Sequence, residues 1–152
     1  MIHLYYIAVL ILRVVDDEAQ ILLVKRAPGR YMADTWQLVT GGLEPGEEAW
    51  KAALREMREE TGLVPFELYR LSTLTRFYRS DNDSLNTAPM FCALVNEGAR
   101  AVLNNELTAV EWVNVYDARS WLMWPADREA LDEVIAVIIG NGSAKPFMRI
   151  PL

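Results

Sequence analysis

The chain has 152 residues, of which 52% are hydrophobic, and this length suits one domain with a sizeable core. Its formal net charge of −6 argues against a protein that binds the nucleic-acid backbone in general. Cys92 is the only cysteine and His3 the only histidine, which excludes an intrachain disulfide and sites built from several histidines. The lone cysteine predicts a reducing, cytoplasmic location.

The first third of the chain contains three predicted strands. Residues 1–12 are apolar, but they lack a basic start and are too short to span a membrane, so we expect a buried strand. A turn at residues 16–17 leads to a second strand at residues 21–25, and the two strands form a hairpin. A short third strand is predicted at residues 36–39.

Four side chains of this region are candidates for contact with a ligand. Lys25 and Arg26 lie at the end of the second strand, where they either contact phosphate groups or form ordinary surface charge. The position of Arg26 directly before a Pro-Gly loop favours phosphate contact. Trp36 either belongs to the core or stacks on a planar ring, and Gln37 is placed to meet a polar edge of such a ring.

A glutamate-rich helix is predicted between residues 47 and 62. Glu47 suits the positive end of the helix dipole, and Gly62 is typical of a residue that ends a helix in left-handed geometry. At about 100° per residue, three carboxylates fall within an arc of about 100°, and a separate apolar arc packs on a sheet. The carboxylates are Glu56, Glu59 and Glu60, and the apolar arc contains Trp50, Ala53, Leu54 and Met57.

The three carboxylates are the strongest candidates for a functional site. Their repulsion within one helix suggests a bound cation, and hard oxygen ligands suit Mg²⁺, for which Mn²⁺ can substitute. The alternative is a solvated acidic face, which is the commoner role of such a run. Ala49 and Ala52 precede the glutamates on the same face, and their small side chains predict an open platform above the carboxylates.

The region from residue 41 to residue 63 matches the pattern G-x5-E-x7-R-E-U-x-E-E-x-G-U, in which U is a bulky aliphatic residue. It resembles a complete Nudix box, the signature of metal-dependent hydrolases that cleave a nucleoside diphosphate linked to another group. The resemblance implies that the three glutamates bind metal and serve catalysis, with a further oxygen from the backbone near Gly41. It also implies that Arg55 orients box carboxylates such as Glu47. The matching residues are Gly41, Glu47, Arg55, Glu56, Met57, Glu59, Glu60, Gly62 and Leu63.

The rest of the chain is predicted to add strands at residues 67–78, 90–95 and 109–115, and helices at residues 118–124 and 127–139. Residues 79–89 are polar and sized for a flexible lid. Residues 140–152 are interpreted as a tail, so one domain spans residues 1–152 with its core at 1–140. A mixed sheet between helices is the economical α/β architecture, and the Nudix resemblance implies the same α/β/α sandwich.

The segment WQLVTGGLEPGE resembles bacterial dATP and dihydroneopterin triphosphate pyrophosphohydrolases. In that subgroup an acidic residue before a later strand approaches the metals, and the matching residue is Glu106. This residue either binds metal, positions the attacking water or is an exposed turn residue. Tyr78 stands where ADP-ribose hydrolases often carry a proline, and close to where dinucleoside polyphosphate hydrolases carry a tyrosine.

The leading hypothesis is a Mg²⁺-dependent pyrophosphohydrolase that converts a dATP-like nucleoside triphosphate or a pterin triphosphate to the monophosphate and pyrophosphate. The alternative enzymes are a sanitising hydrolase of oxidised nucleotides and an ADP-ribose or dinucleoside polyphosphate hydrolase. The alternative of another class is a catalytically silent domain that senses a nucleotide. The expected partner is a small nucleotide-like substrate rather than a nucleic-acid polymer or a membrane, and a homodimer stays open.

Overall fold

The computed structural model describes residues 4–152, so His3 and the start of the first predicted strand lie outside the described residues. The strands are β1 (Tyr6–Val15), β2 (Glu18–Arg26), β3 (Trp36–Gln37), β4 (Val39–Gly42), β5 (Glu67–Arg79), β6 (Ser84–Leu94), β7 (Leu107–Asn114) and β8 (Arg149–Ile150). The helices are α1 (Ala49–Thr61), α2 (Val115–Ala118), α3 (Pro125–Glu133) and α4 (Lys145–Met148). A 3₁₀ turn (Arg119–Trp121) follows α2, and a wider helical segment (Val134–Ile139) continues α3.

The strands form one mixed sheet with the order β3-β2-β1-β6-β5-β8, in which β4 also pairs with β1 and β7 with β2. The pairing of β1 with β6 is parallel, and the β1–β2, β1–β4 and β5–β6 pairings are antiparallel. Strand β1 pairs with β4 through its first half and with β2 through its last residues. The sheet therefore divides along β1, and the loop that follows β4 (residues 43–48, here called the glycine loop) lies at this division.

Helices cover both faces of the sheet, because side chains alternate along the central strand. Ile7, Val9 and Ile11 of β1 belong to one buried cluster with α1. Ala8 and Leu10 belong to a second cluster with α3 and its continuation. This arrangement confirms the predicted α/β/α sandwich with a mixed sheet.

Helix α1 ends as predicted, because Gly62 adopts a left-handed conformation (φ 72°) and its N–H donates to the carbonyl of Arg58. The helix begins at Ala49, two residues later than expected. The predicted apolar arc does pack on the sheet. The open platform is wrong, because Ala52 is completely buried in the same cluster and Ala49 packs against it. Their small side chains let the helix approach the sheet closely.

The prediction of a flexible lid at residues 79–89 is also wrong. Strand β5 continues to Arg79, β6 begins at Ser84, and Phe77 and Tyr78 are paired with Asn86 and Leu85 across a regular hairpin. The hairpin projects beyond the core, so its side chains lack the apolar alternation by which a strand is recognised. The hairpin is held together instead by cross-strand backbone hydrogen bonds and by a tight turn at residues 80–83.

The C-terminal residues are part of the fold. Strand β8 pairs antiparallel with β5, and Met148 is buried in the cluster around α3. A two-residue strand and a single helical turn are too short to produce a periodic pattern, which is why the sequence predicts only a tail here. The predicted helix at residues 127–139 is confirmed, with its start at Pro125. No helix within residues 4–152 is both long and apolar enough to cross a membrane.

Glu133 fastens α3 to an irregularity in β5. Its carboxylate accepts hydrogen bonds from the backbone N–H of Ser72 (2.7 Å) and from the N–H and hydroxyl of Thr73 (both 2.8 Å). Since a hydrogen bond to a charged group contributes about 1.5–3 kcal/mol, we expect Glu133→Ala to lower the free energy of unfolding by about 2–4 kcal/mol. Urea unfolding measures this change. Glu129→Ala, at an exposed position of the same helix, serves as the control and should change stability by less than about 0.5 kcal/mol.

Asp127, in the first turn of α3, is only 8% exposed, and burial raises the pKa of its carboxyl group to about 6. The pKa of Asp127 is higher in the folded chain than its ordinary value of 3.8, so losing the proton costs more free energy in the folded state. The contribution of Asp127 to the free energy of unfolding is therefore complete below about pH 3.8 and is lost as the pH rises through 6. The shift corresponds to about 3 kcal/mol, and the positive end of the helix offsets up to about 1 kcal/mol of this.

We therefore expect Asp127→Asn to be more stable than the wild type by about 2 kcal/mol near pH 8 and about equal to it near pH 4. Urea unfolding at a series of pH values checks this. A stability difference that is independent of pH would contradict it.

Candidate active site

Four segments bring the predicted carboxylates together: α1, the end of β2, β4 and the turn before β7. Two backbone hydrogen bonds hold the turn in place. The N–H of Asn104 donates to the carbonyl of Glu60 (3.3 Å), and the N–H of Ala27 donates to the carbonyl of Glu106 (2.9 Å). The structure therefore brings Glu106 to the helix that carries the box carboxylates, although 45 residues or more separate them in the chain.

Arg55 is the centre of a hydrogen-bond network within the box. Its guanidinium binds Glu47 through two contacts (2.8 and 2.9 Å), which confirms the predicted pairing. It also donates to Glu56 (2.8 Å), to Glu59 (3.2 Å) and to the carbonyl of Gly42 (2.7 Å). These hydrogen bonds hold the pKa of Glu47 at about 2, so this carboxylate stays ionised and keeps the glycine loop attached to α1.

Glu60 is 2% exposed, and its Oε2 atom is buried without a hydrogen-bond partner. Burial raises the pKa of this carboxyl group to about 8, and the neighbouring charges of Glu56 and Glu106 raise it further, whereas the charge of Arg26 lowers it. Burial likewise raises the pKa of Glu56. Three carboxyl groups thus share a small, partly dehydrated volume. Glu59 is different, because its side chain is 54% exposed at the rim.

Gly41 allows the Glu56 carboxyl group to lie against the backbone of β4. A Cβ atom at this position would lie 2.5 Å from Oε1 of Glu56 and closer still to its Cδ atom. We expect Gly41→Ala to displace Glu56, to lower stability by about 1–3 kcal/mol and to reduce hydrolytic activity by about 100-fold. Thermal unfolding and steady-state kinetics measure the two effects. Gly98→Ala, where a Cβ would meet no atom within 4 Å, is the matched control and should leave activity unchanged.

The cluster suits a divalent metal ion by its chemistry. Within residues 4–152, no three acidic, histidine or cysteine side chains already converge on one ion position. The donors nevertheless fit a hard cation, because they are carboxylate oxygens and because the buried Oε2 of Glu60 lacks a partner that such an ion would supply. The oxygens of Glu56 and Glu59 that accept hydrogen bonds from Arg55 are further candidate metal ligands in the cluster.

Of the two predicted phosphate contacts, Arg26 lies beside the carboxylates. Its Nη2 atom donates to the hydroxyl of Thr40 on β4, and its charge acts on Glu60. Lys25 lies opposite Trp36 on β3 and Ala109 on β7, and within residues 4–152 it forms no ion pair with the cluster.

The predicted contacts for a planar ring are separate from one another. Trp36 packs edge-to-face on Trp121 (5.3 Å between centroids) and contributes to the core. Gln37 is buried and donates to Thr35 (2.9 Å) and weakly to the sulfur of Met123. Tyr78 lies on the projecting hairpin, where its hydroxyl donates to Asp83 (2.8 Å).

Sequence reasoning missed two features of the structure. Thr40 was part of a quoted motif, but nothing in the motif shows that its hydroxyl binds Arg26. Asp127 looks in sequence like any acidic residue in the first turn of a helix, a position where it is normally exposed. Only the packing of α3 shows that this carboxyl group is buried.

The α/β/α sandwich and the clustered carboxylates beside a glycine loop define the class of protein as an α/β fold with an acidic centre suited to a metal ion. The NUDIX domain model matches residues 4–134, and the chain belongs to this family. Nudix hydrolases generally use divalent metal ions.

The relatives of the chain differ in their named activities. The dihydroneopterin triphosphate diphosphatase of Escherichia coli is 28% identical over 145 residues, which cover 85% of this chain and 91% of that protein. An octanoyltransferase of Myxococcus xanthus is 36% identical over 120 residues (78% of this chain), and an RNA pyrophosphohydrolase of Bradyrhizobium is 41% identical over 56 residues (35% of this chain). The chain spans about a third of the length of each of these last two relatives (33% in both).

Solved structures share the fold. A C. elegans Ap4A hydrolase has a TM-score of 0.74 at 20% identity, covering 91% of this chain and 99% of that one. The E. coli dihydroneopterin triphosphate pyrophosphohydrolase has a TM-score of 0.67 at 24% identity, covering 92% of this chain and 100% of that one.

Proposed function

We propose that the chain is a Mg²⁺-dependent pyrophosphohydrolase that cleaves a nucleoside or pterin triphosphate to the monophosphate and pyrophosphate. The observation that carries the proposal is the unpartnered, buried Oε2 atom of Glu60, which lies among the charges of Glu56, Glu106 and Arg26. A buried carboxylate beside two others is costly unless a cation is bound, and a phosphate chain brings such a cation with it. The E. coli dihydroneopterin triphosphate diphosphatase, which this chain matches over most of its length, supports a triphosphate substrate.

Each residue of the site has a role in this proposal. Glu56, Glu59 and Glu60, with the backbone at Gly41, would hold Mg²⁺, and Mn²⁺ would substitute. When bound, the ion supplies neutralisation of the charge that develops on the phosphate chain and lowers the pKa of a bound water molecule. Arg26 binds the phosphate chain from the end of β2, where Thr40 orients its guanidinium.

The residues around the ligands complete the arrangement. Arg55 holds Glu47, Glu56 and the Gly42 carbonyl in fixed positions, so that the ligands do not have to rearrange during the reaction. Glu106 either binds metal or accepts a proton from the attacking water, since its carboxyl group is close enough to Glu60 to raise the pKa of that residue.

A substrate panel tests the proposal. Purified protein is incubated with dATP, GTP, dihydroneopterin triphosphate, 8-oxo-dGTP, ADP-ribose and diadenosine tetraphosphate, with Mg²⁺, with Mn²⁺ or with EDTA. We expect pyrophosphate and a monophosphate from one or more triphosphates, and no products with EDTA. Faster cleavage of ADP-ribose or diadenosine tetraphosphate would replace the triphosphate assignment with those alternatives. Binding without turnover of every compound would identify a silent sensor and refute the proposal.

A further inference from the structure

The projecting hairpin of β5 and β6 leaves part of one sheet edge open. Strand β8 covers the outer edge of β5 only at Leu68 and Tyr69. In the part of the chain that the structure describes, β5 has only β6 and β8 as neighbours, so residues 74–79 pair with a strand on one side alone. The backbone N–H and C=O groups of an open edge are a template on which another strand can pair. Residues 74–79 are therefore called the open edge.

The open edge is apolar and lacks the features that usually block strand pairing. Edge strands in natural proteins are protected by lysine, by proline or by a bulge. The irregularity of β5 lies before the open edge, and residues 74–79 contain neither lysine nor proline. Three large side chains of the edge are exposed, namely Leu74 (42%), Phe77 (42%) and Tyr78 (62%). A group of exposed apolar side chains on a projecting element is typical of an interaction surface.

A second copy of the chain fits the open edge when the two edges pair antiparallel around Phe77. Residues that face each other across a strand pair lie on the same side of the sheet, so a symmetric pair is centred on one residue that faces itself. Around Phe77, two aromatic rings meet, and Arg76 of each copy faces Tyr78 of the other, which suits a cation–π contact. Centring the pair on Arg76 would place two guanidinium groups opposite each other, which is destabilising.

The length of the open edge favours the same register. When Phe77 is the centre, the turn at residues 80–83 of one copy lies opposite residues 71–74 of the other, just past the part of β5 that β8 covers. Centring the pair on Thr75 would move this turn opposite residues 67–70, where β8 already pairs with β5. The register around Phe77 therefore uses the open edge without displacing β8.

A cleft beside the open edge supplies a complementary charge. It has a volume of about 280 Å³ and is lined by residues 72–74, Arg76 and Glu129 of α3. Glu129 is exposed, and none of the salt bridges within residues 4–152 involves it. In the register around Phe77, Arg79 of one copy lies opposite Thr75 of the other and so reaches this cleft.

The side of the sheet is also the correct one for this contact. Thr75, Phe77 and Arg79 alternate along β5 and so share one side. The ring of Phe77 packs against Tyr6, and Tyr6 shares a side of β1 with Ala8, which belongs to the cluster around α3. Arg79 of one copy therefore approaches Glu129 from the side that α3 occupies. Because the net charge of −6 makes two copies repel each other in general, an arginine that meets a glutamate favours this face for self-association.

We propose that the open edge of β5 is a homodimer interface, in which two copies of the chain pair antiparallel around Phe77 and continue the sheet across a two-fold axis. Arg79 and Glu129 of opposite copies fix the orientation of the pair. Since only one short strand from each copy meets the other, we expect a dissociation constant of about 1–100 µM.

The oligomeric state of the purified chain tests the proposal. Sedimentation equilibrium over about 1–300 µM should show a reversible monomer–dimer equilibrium. Phe77→Lys places two ammonium groups opposite each other at the centre of the pair, and it should weaken the dimer by at least about 10-fold. Val14→Lys is the matched control, because Val14 is an exposed apolar residue (48%) of strand β1, outside the open edge. It should dimerise like the wild type, and circular dichroism verifies that both variants are folded.

A cysteine variant tests the register directly. Residues that face each other in an antiparallel pair have Cβ atoms about 4.5–5.5 Å apart, which is close to the distance that a disulfide requires. Phe77→Cys should therefore form a covalent dimer under mild oxidation at a concentration above the dissociation constant. Leu85→Cys is the control, since Leu85 is more exposed (80%) but lies on β6, one strand away from the open edge. The native thiol of Cys92 is completely buried and gives no background.

Three results would each overturn the proposal. The first is a wild type that stays monomeric up to about 300 µM, which would leave the open edge to an extended segment of a different protein. The second is a dimer that is equally strong in folded Phe77→Lys. The third is cross-linking of Leu85→Cys as fast as that of Phe77→Cys. None of these measurements uses turnover, so their outcome is independent of the proposed function.

Discussion

Replacing Glu60 with glutamine is expected to reduce kcat/KM by about 100-fold or more while leaving the chain folded. A metal ion at such a site contributes several kcal/mol to stabilisation of the transition state, and each 1.4 kcal/mol corresponds to a factor of ten in rate. Glutamine keeps the size of the side chain but replaces the charged carboxylate, whose oxygens can bind a metal ion, with a neutral amide. Steady-state kinetics on the preferred substrate of the panel measures the loss.

The stability of Glu60→Gln is expected to change in the opposite direction from its activity. Glu60 is almost fully buried beside two other carboxyl groups, and its Oε2 atom has no partner. A neutral amide removes this repulsion and can donate to Glu56 or Glu106, so the metal-free variant should be as stable as the wild type or more stable by about 1–2 kcal/mol. Added Mg²⁺ should raise the melting temperature of the wild type more than that of the variant.

Glu97→Gln is the matched control, because it makes the same chemical change at an exposed position. It should leave activity and the Mg²⁺-dependent shift in melting temperature unchanged. The exposed neighbour Glu59→Gln should reduce activity as well, although Glu59 lies at the rim. Near-normal kcat/KM in both Glu59→Gln and Glu60→Gln would refute the assignment of the box carboxylates.

Replacing Arg55 with lysine is the second large expected effect. The guanidinium of Arg55 contacts Glu47 twice, Glu56, Glu59 and the Gly42 carbonyl. An ammonium group keeps the charge, but it has three donors and cannot reproduce the planar bidentate contact with Glu47. We expect activity to fall by about 10- to 100-fold, which is typical when a residue that orients metal ligands is lost.

The same substitution should lower the free energy of unfolding by about 2 kcal/mol, since charged hydrogen bonds of partly buried groups are removed. Arg58→Lys, on an exposed position of the same helix, is the control for the conservative change. If Arg55→Lys retains activity within about twofold of the wild type, fixed positions of Glu47 and Glu56 are unnecessary for the reaction. If Arg55→Lys lowers the affinity for Mg²⁺ but leaves the free energy of unfolding unchanged, Arg55 acts on the metal site and does not stabilise the fold.

These predictions concern residues for which the sequence was informative to different degrees. The box carboxylates and Arg55 were identified because they lie within a span of 14 residues (47–60) on a local pattern. A helix converts such a spacing into a shared face without help from the rest of the chain. The end of α1 at Gly62 and the pairing of Arg55 with Glu47 followed for the same reason.

Residues whose environment depends on distant segments were predicted less well. Ala49 and Ala52 were expected to leave an open platform, but the sheet occupies that side of α1, buries Ala52 and packs against Ala49. The acidic arc and the packing arc overlap at the C-terminal end of the helix, so Glu60 is buried whereas Glu59 is exposed. The helical wheel describes directions around one helix and does not include the position of the sheet.

The sequence alone therefore determined the family, the box helix with its acidic arc, and the α/β class, because these depend on local spacing and on the alternation of apolar residues. The tertiary structure decided which carboxylate is dehydrated, where Glu106 and Arg26 meet the helix, and that Asp127 is buried. It also decided that residues 79–89 form a hairpin and that residues 149–150 extend the sheet. Burial and charge proximity arise from contacts between segments far apart in the chain, and no local pattern of residue types records them.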